Sequence, residues 1–173
     1  VSGEGVLVAV IDALGHGEQA SRAAAAAARN LSQYAQEFPV ALVQRCHAEL
    51  RPTRGAALGI AWFDWRRRTV TWLGVGNVAG VLLRAGDGVD PRPLPLIARA
   101  GVIGDQLPAL RPSVRPLAAQ TLLALASDGV AGDFSAALSL VMAPQRLAQR
   151  ILDRYARRDD DATVLVFRCG DAS

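Results

Sequence analysis

Carboxylates stand at the ends of three apolar stretches of this chain. Asp12 closes VLVAVI and leads into the turn ALGHG; Asp128 follows TLLALAS; Asp159, Asp160 and Asp161 come just before ATVLVF. A carboxylate at the end of a buried strand is costly unless it is paired or bound to a cation. Taken singly, an Asp beside Gly also reads as a turn residue. Three such positions, each beside small residues, suggest one shared cluster. Oxygen-only ligands suit hard divalent cations, Mg²⁺ or Mn²⁺, and not zinc or copper. With His only at 16 and 47, and Cys only at 46 and 169, a Cys/His zinc site has little to draw on.

These acids need strands and turns to place them. Residues 4–12 read as a buried, Val-rich strand ending at Asp12, and 18–38 as a helix whose six-Ala run, 23–28, can lie close to whatever it packs on. Glu18 sits in the first turn of that helix, where its charge favours the positive end. Pro39 opens a second helix to about Leu50. From Ala56 the period changes to that of strands. GAALGIAWFD and TVTWLGVGN form a hairpin around WRRR, and AGVLLR is a third strand closed by a turn at 86–88. The five-proline stretch 89–112 reads as loop. QTLLALASDG reads as a strand ending at Asp128, 133–157 as one or two helices broken near Pro144, and ATVLVFR as a closing strand. The resulting class is α+β, with mostly antiparallel sheets covered by helices early and late.

Composition limits the function further. The 173 residues are 51% hydrophobic and 20% charged, enough for a substantial core and against whole-chain disorder. All 19 basic residues are Arg, and the net charge is only +3. With 5% aromatics and no basic patch interleaved with them, nucleic acid is not an expected partner. No apolar run approaches the roughly 20 residues of a spanning helix, so no membrane role is expected. The start has no basic n-region, and the two lone thiols fit a reducing, cytoplasmic setting.

Four motifs occur in a telling order: DALGHG at 12–17, GVGN at 74–77, SDG at 127–129 and DDAT at 160–163. Together they resemble the metal-dependent protein serine/threonine phosphatases of the PPM type, in the bacterial branch named after stage II sporulation protein E. HAELRPTRGAA at 47–57 and GVIG at 101–104 are similar to the small feedback phosphatases of the stressosome. The resemblance runs from Val6 to Phe167.

The resemblance implies a four-layer α-β-β-α sandwich with two divalent cations, Mn²⁺ or Mg²⁺, at one end of the sheets. Asp12 would bridge both cations, and the carbonyl of Ala13 would take a ligand position. Asp128 and Asp160 would hold the second cation, with Asp161, Gly129 and Asn77 supporting them. Gly76, Asn77, Gly101 and Gly104 would shape the surrounding loops; Thr53 and Arg54, with Gly55, would take a substrate-binding or structural role, and Gly104 would also meet substrate. A metal-bridging hydroxide would attack phosphorus in line. The leaving seryl oxygen needs a proton, for which His16 is the candidate. A hydrogen bond from His16 that holds the turn is the favoured role, because related enzymes place the acid His two residues after the Asp and here it lies four after; His47 reads as a packing or hydrogen-bonding residue. Ala13 departs from the family's usual Gly. The family's further acidic residue, on an upstream strand, has no counterpart before Asp12, so residues 1–173 are expected to be a single domain without its first strand. The implied function is dephosphorylation of Ser or Thr on phosphorylated signalling proteins of the STAS type in bacterial stress responses. A catalytically weak partner-binding module of the same fold is the alternative.

Overall fold

A computed structural model describes residues 3–86 and 89–169. In chain order the elements are β1 (Gly5–Ala13), α1 (Gly17–Gln33), α2 (Pro39–Leu50), β2 (Ala56–Asp64), β3 (Thr69–Val75), β4 (Ala79–Gly86), β5 (Val89–Leu96), β6 (Ser113–Pro116) and β7 (Gln120–Ala126). A 3₁₀ turn (Phe134–Ala137), α3 (Pro144–Tyr155) and β8 (Val164–Cys169) complete the chain. The class is the expected α+β. The described residues form two four-stranded sheets, ordered β1-β2-β3-β6 and β5-β4-β7-β8. They fall into two compact units, 1–78 with 98–115 and 79–97 with 116–173.

In the first unit β1, β2 and β3 pair antiparallel, with Asp12 opposite Ala57 and Ala13 opposite Ala56. The core lies between this sheet and the helix pair: Leu42, Leu50, Leu58, Ile60 and Ile103 are essentially inaccessible. Each such side chain stabilises the fold by about 1.5–3 kcal/mol relative to exposure. The Ala run packs closely as expected, on one stripe only. Ala23 and Ala27 are each 2% exposed, while Ala25 and Ala28 face solvent. Helix α1 stops at Gln33, five residues before the expected end. The chain has to leave the helical conformation before Pro39, and Phe38 is extended (φ −64°, ψ 143°), as a residue preceding proline prefers. Tyr34 lies under the Arg45 guanidinium at 4.0 Å, which holds the corner.

In the second unit β4, β5, β7 and β8 pair antiparallel, and Leu122, Phe134, Leu147 and Ile151 are buried between sheet and α3. Residues 89–96, expected as loop, are strand β5 at the sheet edge. Pro91, Pro93 and Pro95 recur every second residue, so their missing N–H groups fall on the unpaired side while the residues between them face β4. The short strand β6 lies just beyond the proline-rich stretch 89–112, in residues to which the sequence assigns no element. Strand β7 ends at Ala126, and Ser127 and Asp128 belong to the turn beyond it. Asp87 and Gly88 of the expected turn at 86–88 lie outside the described residues.

Candidate functional site

In the first unit Asp12 is half-buried near the end of β1, facing the small residues of β2. The chain then has to turn sharply into α1. Gly15 (φ +92°) and Gly17 (φ +76°) take the left-handed conformations that this requires. The Leu14 amide donates to the Gly55 carbonyl at 2.9 Å, tying the Asp12 loop to the segment between α2 and β2. His16 is the N-cap residue of α1, with an exposed side chain. The hydrogen bond expected to hold this turn is not made, since His16 gives no side-chain cap. The imidazole projects from an extended residue (φ −133°, ψ 169°) on the solvent side of the loop.

The residues after α2 form a tight frame. The Thr53 hydroxyl donates to the Leu50 carbonyl at 2.7 Å and accepts the Gly55 amide at 3.0 Å. Ala56 and Ile103 exchange backbone hydrogen bonds of 2.9 and 3.0 Å. The Gly104 amide donates to His47 Nδ1 at 3.0 Å, so His47 has the hydrogen-bonding role expected of it. At Gly104 a Cβ would lie 2.8 Å from the Leu50 carbonyl oxygen. Thr53 and Gly104, expected at substrate, thus spend their polar groups inside the frame. Arg54 does not: its guanidinium lies across Gly15, where a Cβ would come within 2.7 Å of Nη1. Gly76 abuts Ala57 closely enough that a Cβ would meet its methyl at 2.5 Å, and exposed Asn77 follows it. At Gly101 a Cβ would meet the Gln106 carbonyl oxygen at 2.6 Å.

In the second unit the two acid-bearing segments are joined. The Ser127 amide donates to the Thr163 carbonyl at 3.0 Å, and the Thr163 amide donates to the Ser127 hydroxyl at 2.9 Å. The Arg157 amide donates to the Gly129 carbonyl at 2.8 Å, and Val130 bridges to Ala156. Buried Gly129 rests against the Asp161 backbone so closely that a Cβ would be 2.2 Å from its carbonyl oxygen. Asp128 is half-buried, and Asp160 and Asp161 are exposed. An Asp160 carboxylate oxygen accepts the Asp161 amide at 2.9 Å. These acids are less buried than the sequence suggests, because Asp128 lies in the turn after β7 and Asp160 and Asp161 in the loop before β8. Ser127 was not singled out from sequence. Only its place before Asp-Gly signals it.

Among the described residues no three His, Cys, Asp or Glu side chains are gathered into a group able to hold a metal. The donor chemistry on the joined loops still fits a hard cation. Mg²⁺ binds through one or two carboxylates and keeps several waters, and Asp128 and Asp160 offer carboxylates alone. Among the described residues neither Cys46 nor Cys169 is in a disulfide, and burial, with Glu49 nearby, pushes the Cys46 thiol up to about 11. No helix of the described residues is long and apolar enough to cross a membrane.

The family model described as stage II sporulation protein E matches residues 2–170. The phosphoserine phosphatase RsbX of Bacillus subtilis (strain 168) is 32% identical over 91 residues, covering 53% of this chain and 45% of the relative. The chain thus aligns to less than half the length of that curated relative. A solved structure described as belonging to the bacterial stressosome, a modular system adapted to control secondary messenger signalling, is 29% identical with a TM-score of 0.84, covering 96% of this chain and 86% of that one. RsbX in complex with magnesium has the same TM-score at 20% identity, covering 96% of this chain and 82% of that one.

Proposed function

The chain belongs to the stage II sporulation protein E family, and from that membership we propose that it is a metal-dependent phosphoprotein phosphatase. The observation that carries this reading is the joining of the Asp128 turn to the Asp160–Asp161 turn through Ser127, Thr163 and Gly129. Two sequence-distant acidic turns are held together by hydrogen bonds between Ser127 and Thr163 and by the close backbone contact at Gly129.

In this reading Asp12, the Ala13 carbonyl, Asp128 and Asp160 would be the ligands of two divalent cations, Mg²⁺ or Mn²⁺. When bound, the cations supply an acidified water and neutralise charge on the phosphoryl oxygens. Gly129 and Asp161 set the spacing of the second pair of acids. Asn77 shapes the adjoining turn. His16, exposed four residues after Asp12, delivers the proton to the departing seryl or threonyl oxygen. Residues 1–173 act as one phosphatase domain. The substrates are phosphorylated signalling proteins of the STAS type, in the cytoplasm. The likeness to a phosphoserine phosphatase and to a stressosome structure supports that choice.

The test is hydrolysis of a phosphoserine STAS-type protein and of an aryl phosphate with Mn²⁺, with Mg²⁺ and with chelator. Turnover is expected only with metal, and Asp12→Asn should lower it by on the order of 10²-fold or more. Metal-independent turnover, or an Asp12→Asn variant as active as the parent, would overturn the reading. A partner-binding module of the same fold is the second reading. The lack of a preassembled three-ligand group among the described residues favours it. Tight binding of the phosphoprotein without turnover in any metal would select it.

A further inference from the structure

A cavity of about 410 Å³ opens on the first unit, with Leu14, Gln19, Arg22, Thr53 and Arg54 in its wall. That is within the size range of sites that receive a side chain or small ligand. Its charge is one-sided. Arg22 pairs with Glu18 at 2.5 Å on the solvent face of α1. Arg54 makes no ion pair among the described residues, and no acidic side chain lines the cavity.

The surrounding frame fixes the backbone that carries Arg54 and leaves room for its exposed guanidinium. Thr53 locks the backbone before it, through its bonds to Leu50 and Gly55, and left-handed Gly55 follows. Gly15 lacks the Cβ that would displace the guanidinium. A planar guanidinium placed over Gly15 is matched by a carboxylate, which it can engage through two parallel N–H donors. Leu14 in the cavity wall is two residues from Asp12, at most about 7 Å along extended chain. A peptide with its phosphoserine at Asp12 therefore has its neighbouring residues within reach of Arg54.

We propose that this cavity reads the substrate protein through an acidic residue one or two positions from the phosphoserine, with Arg54 as the residue that determines this preference. The proposal rests on the phosphatase reading for the location of the phosphoserine. Thr53 is a positioning residue in it, acting through Arg54.

The experiment compares phosphoserine peptides carrying Glu or Gln one or two residues to either side of the phosphoserine. They are assayed with the parent chain, Arg54→Ala and Arg54→Lys, beside an aryl phosphate too short to enter the cavity. The parent should prefer a Glu peptide roughly tenfold in kcat/KM, through KM. Arg54→Ala should erase that preference, and Arg54→Lys should keep part of it. Equal losses on Glu peptide, Gln peptide and aryl phosphate would overturn the proposal, because Arg54 would then act at the phosphoryl group or on folding. A parent without preference would overturn it as well. Fluorescence anisotropy of the same peptides in chelator separates the two readings. An Arg54-dependent Glu preference in binding without any turnover keeps the cavity and removes the phosphatase. Turnover without that preference keeps the phosphatase and removes the cavity.

Discussion

Gly129→Ala tests whether the two acidic turns of the second unit are held at a fixed spacing. A Cβ there would stand 2.2 Å from the Asp161 carbonyl oxygen, 2.8 Å from its carbonyl carbon and 3.2 Å from the Ala162 Cα. Ordinary contact begins near 3.4 Å, so the first of these must open by 3.4 − 2.2, about 1.2 Å. All three atoms are backbone, and no side chain can swing aside to relieve them. The segment they belong to is anchored by the Ser127–Thr163 bonds. Overpacking of this kind costs about 1–3 kcal/mol. In a chain of this size that lowers Tm by roughly 2–12 °C, at about 2–4 °C per kcal/mol. The same displacement moves Asp160 relative to Asp128, and a shift of about 1 Å at a reacting centre can cost on the order of 10²-fold in rate. Calorimetric melting, Mn²⁺ titration and turnover of a phosphoserine peptide are the assays. Gly132→Ala is the control: its Cβ would meet nothing within 4 Å, and it should melt and turn over like the parent. A Gly129→Ala protein that melts within a degree of the parent and keeps its turnover would refute the argument.

Three further outcomes are expected. Ala27→Leu should destabilise by about 1–3 kcal/mol through overpacking, while Ala25→Leu on the exposed face of α1 stays within about 0.5 kcal/mol; equal denaturation midpoints for the two would contradict the one-sided packing. His16→Gln should leave melting unchanged, lower turnover of a phosphoserine substrate by about 10²–10⁴, and affect an aryl phosphate far less, since that leaving group barely needs a proton; a shared loss on both substrates would remove His16 as the proton donor. In the folded protein at pH 8 a disulfide reagent should react with half-buried Cys169 and spare Cys46, whose neutral form burial favours. The stability this lends is complete below pH about 9 and fades as pH rises toward 11, so the alkaline loss should shrink in Cys46→Ala.

Much of this protein is decided locally. The long apolar runs of β1, β2, β3, β4 and β7 pair as strands because each carries enough Val, Leu and Ile to need burial, and the order of the glycine and Asp motifs identifies the family without any distance. Pro39 and Pro144 start helices where their fixed φ and missing N–H are harmless. Other features follow from neighbours that the sequence does not name. Residues 89–96 are a strand only because β4 offers one edge, and prolines at every second position keep their blank side outward. Ala23 and Ala27 differ from Ala25 only through what packs on them. Asp128 and Asp160 are 32 residues apart in sequence (160 − 128), and their turns meet through Ser127, Thr163 and the missing Cβ of Gly129. Arg54 looks like any other arginine in the chain until the fold sets its backbone beside Thr53 and opens space for it over Gly15. The physical reason is the same in each case. Hydrophobic period and turn chemistry are properties of adjacent residues, whereas spacing between loops and the pairing of a charge depend on which backbone happens to lie opposite.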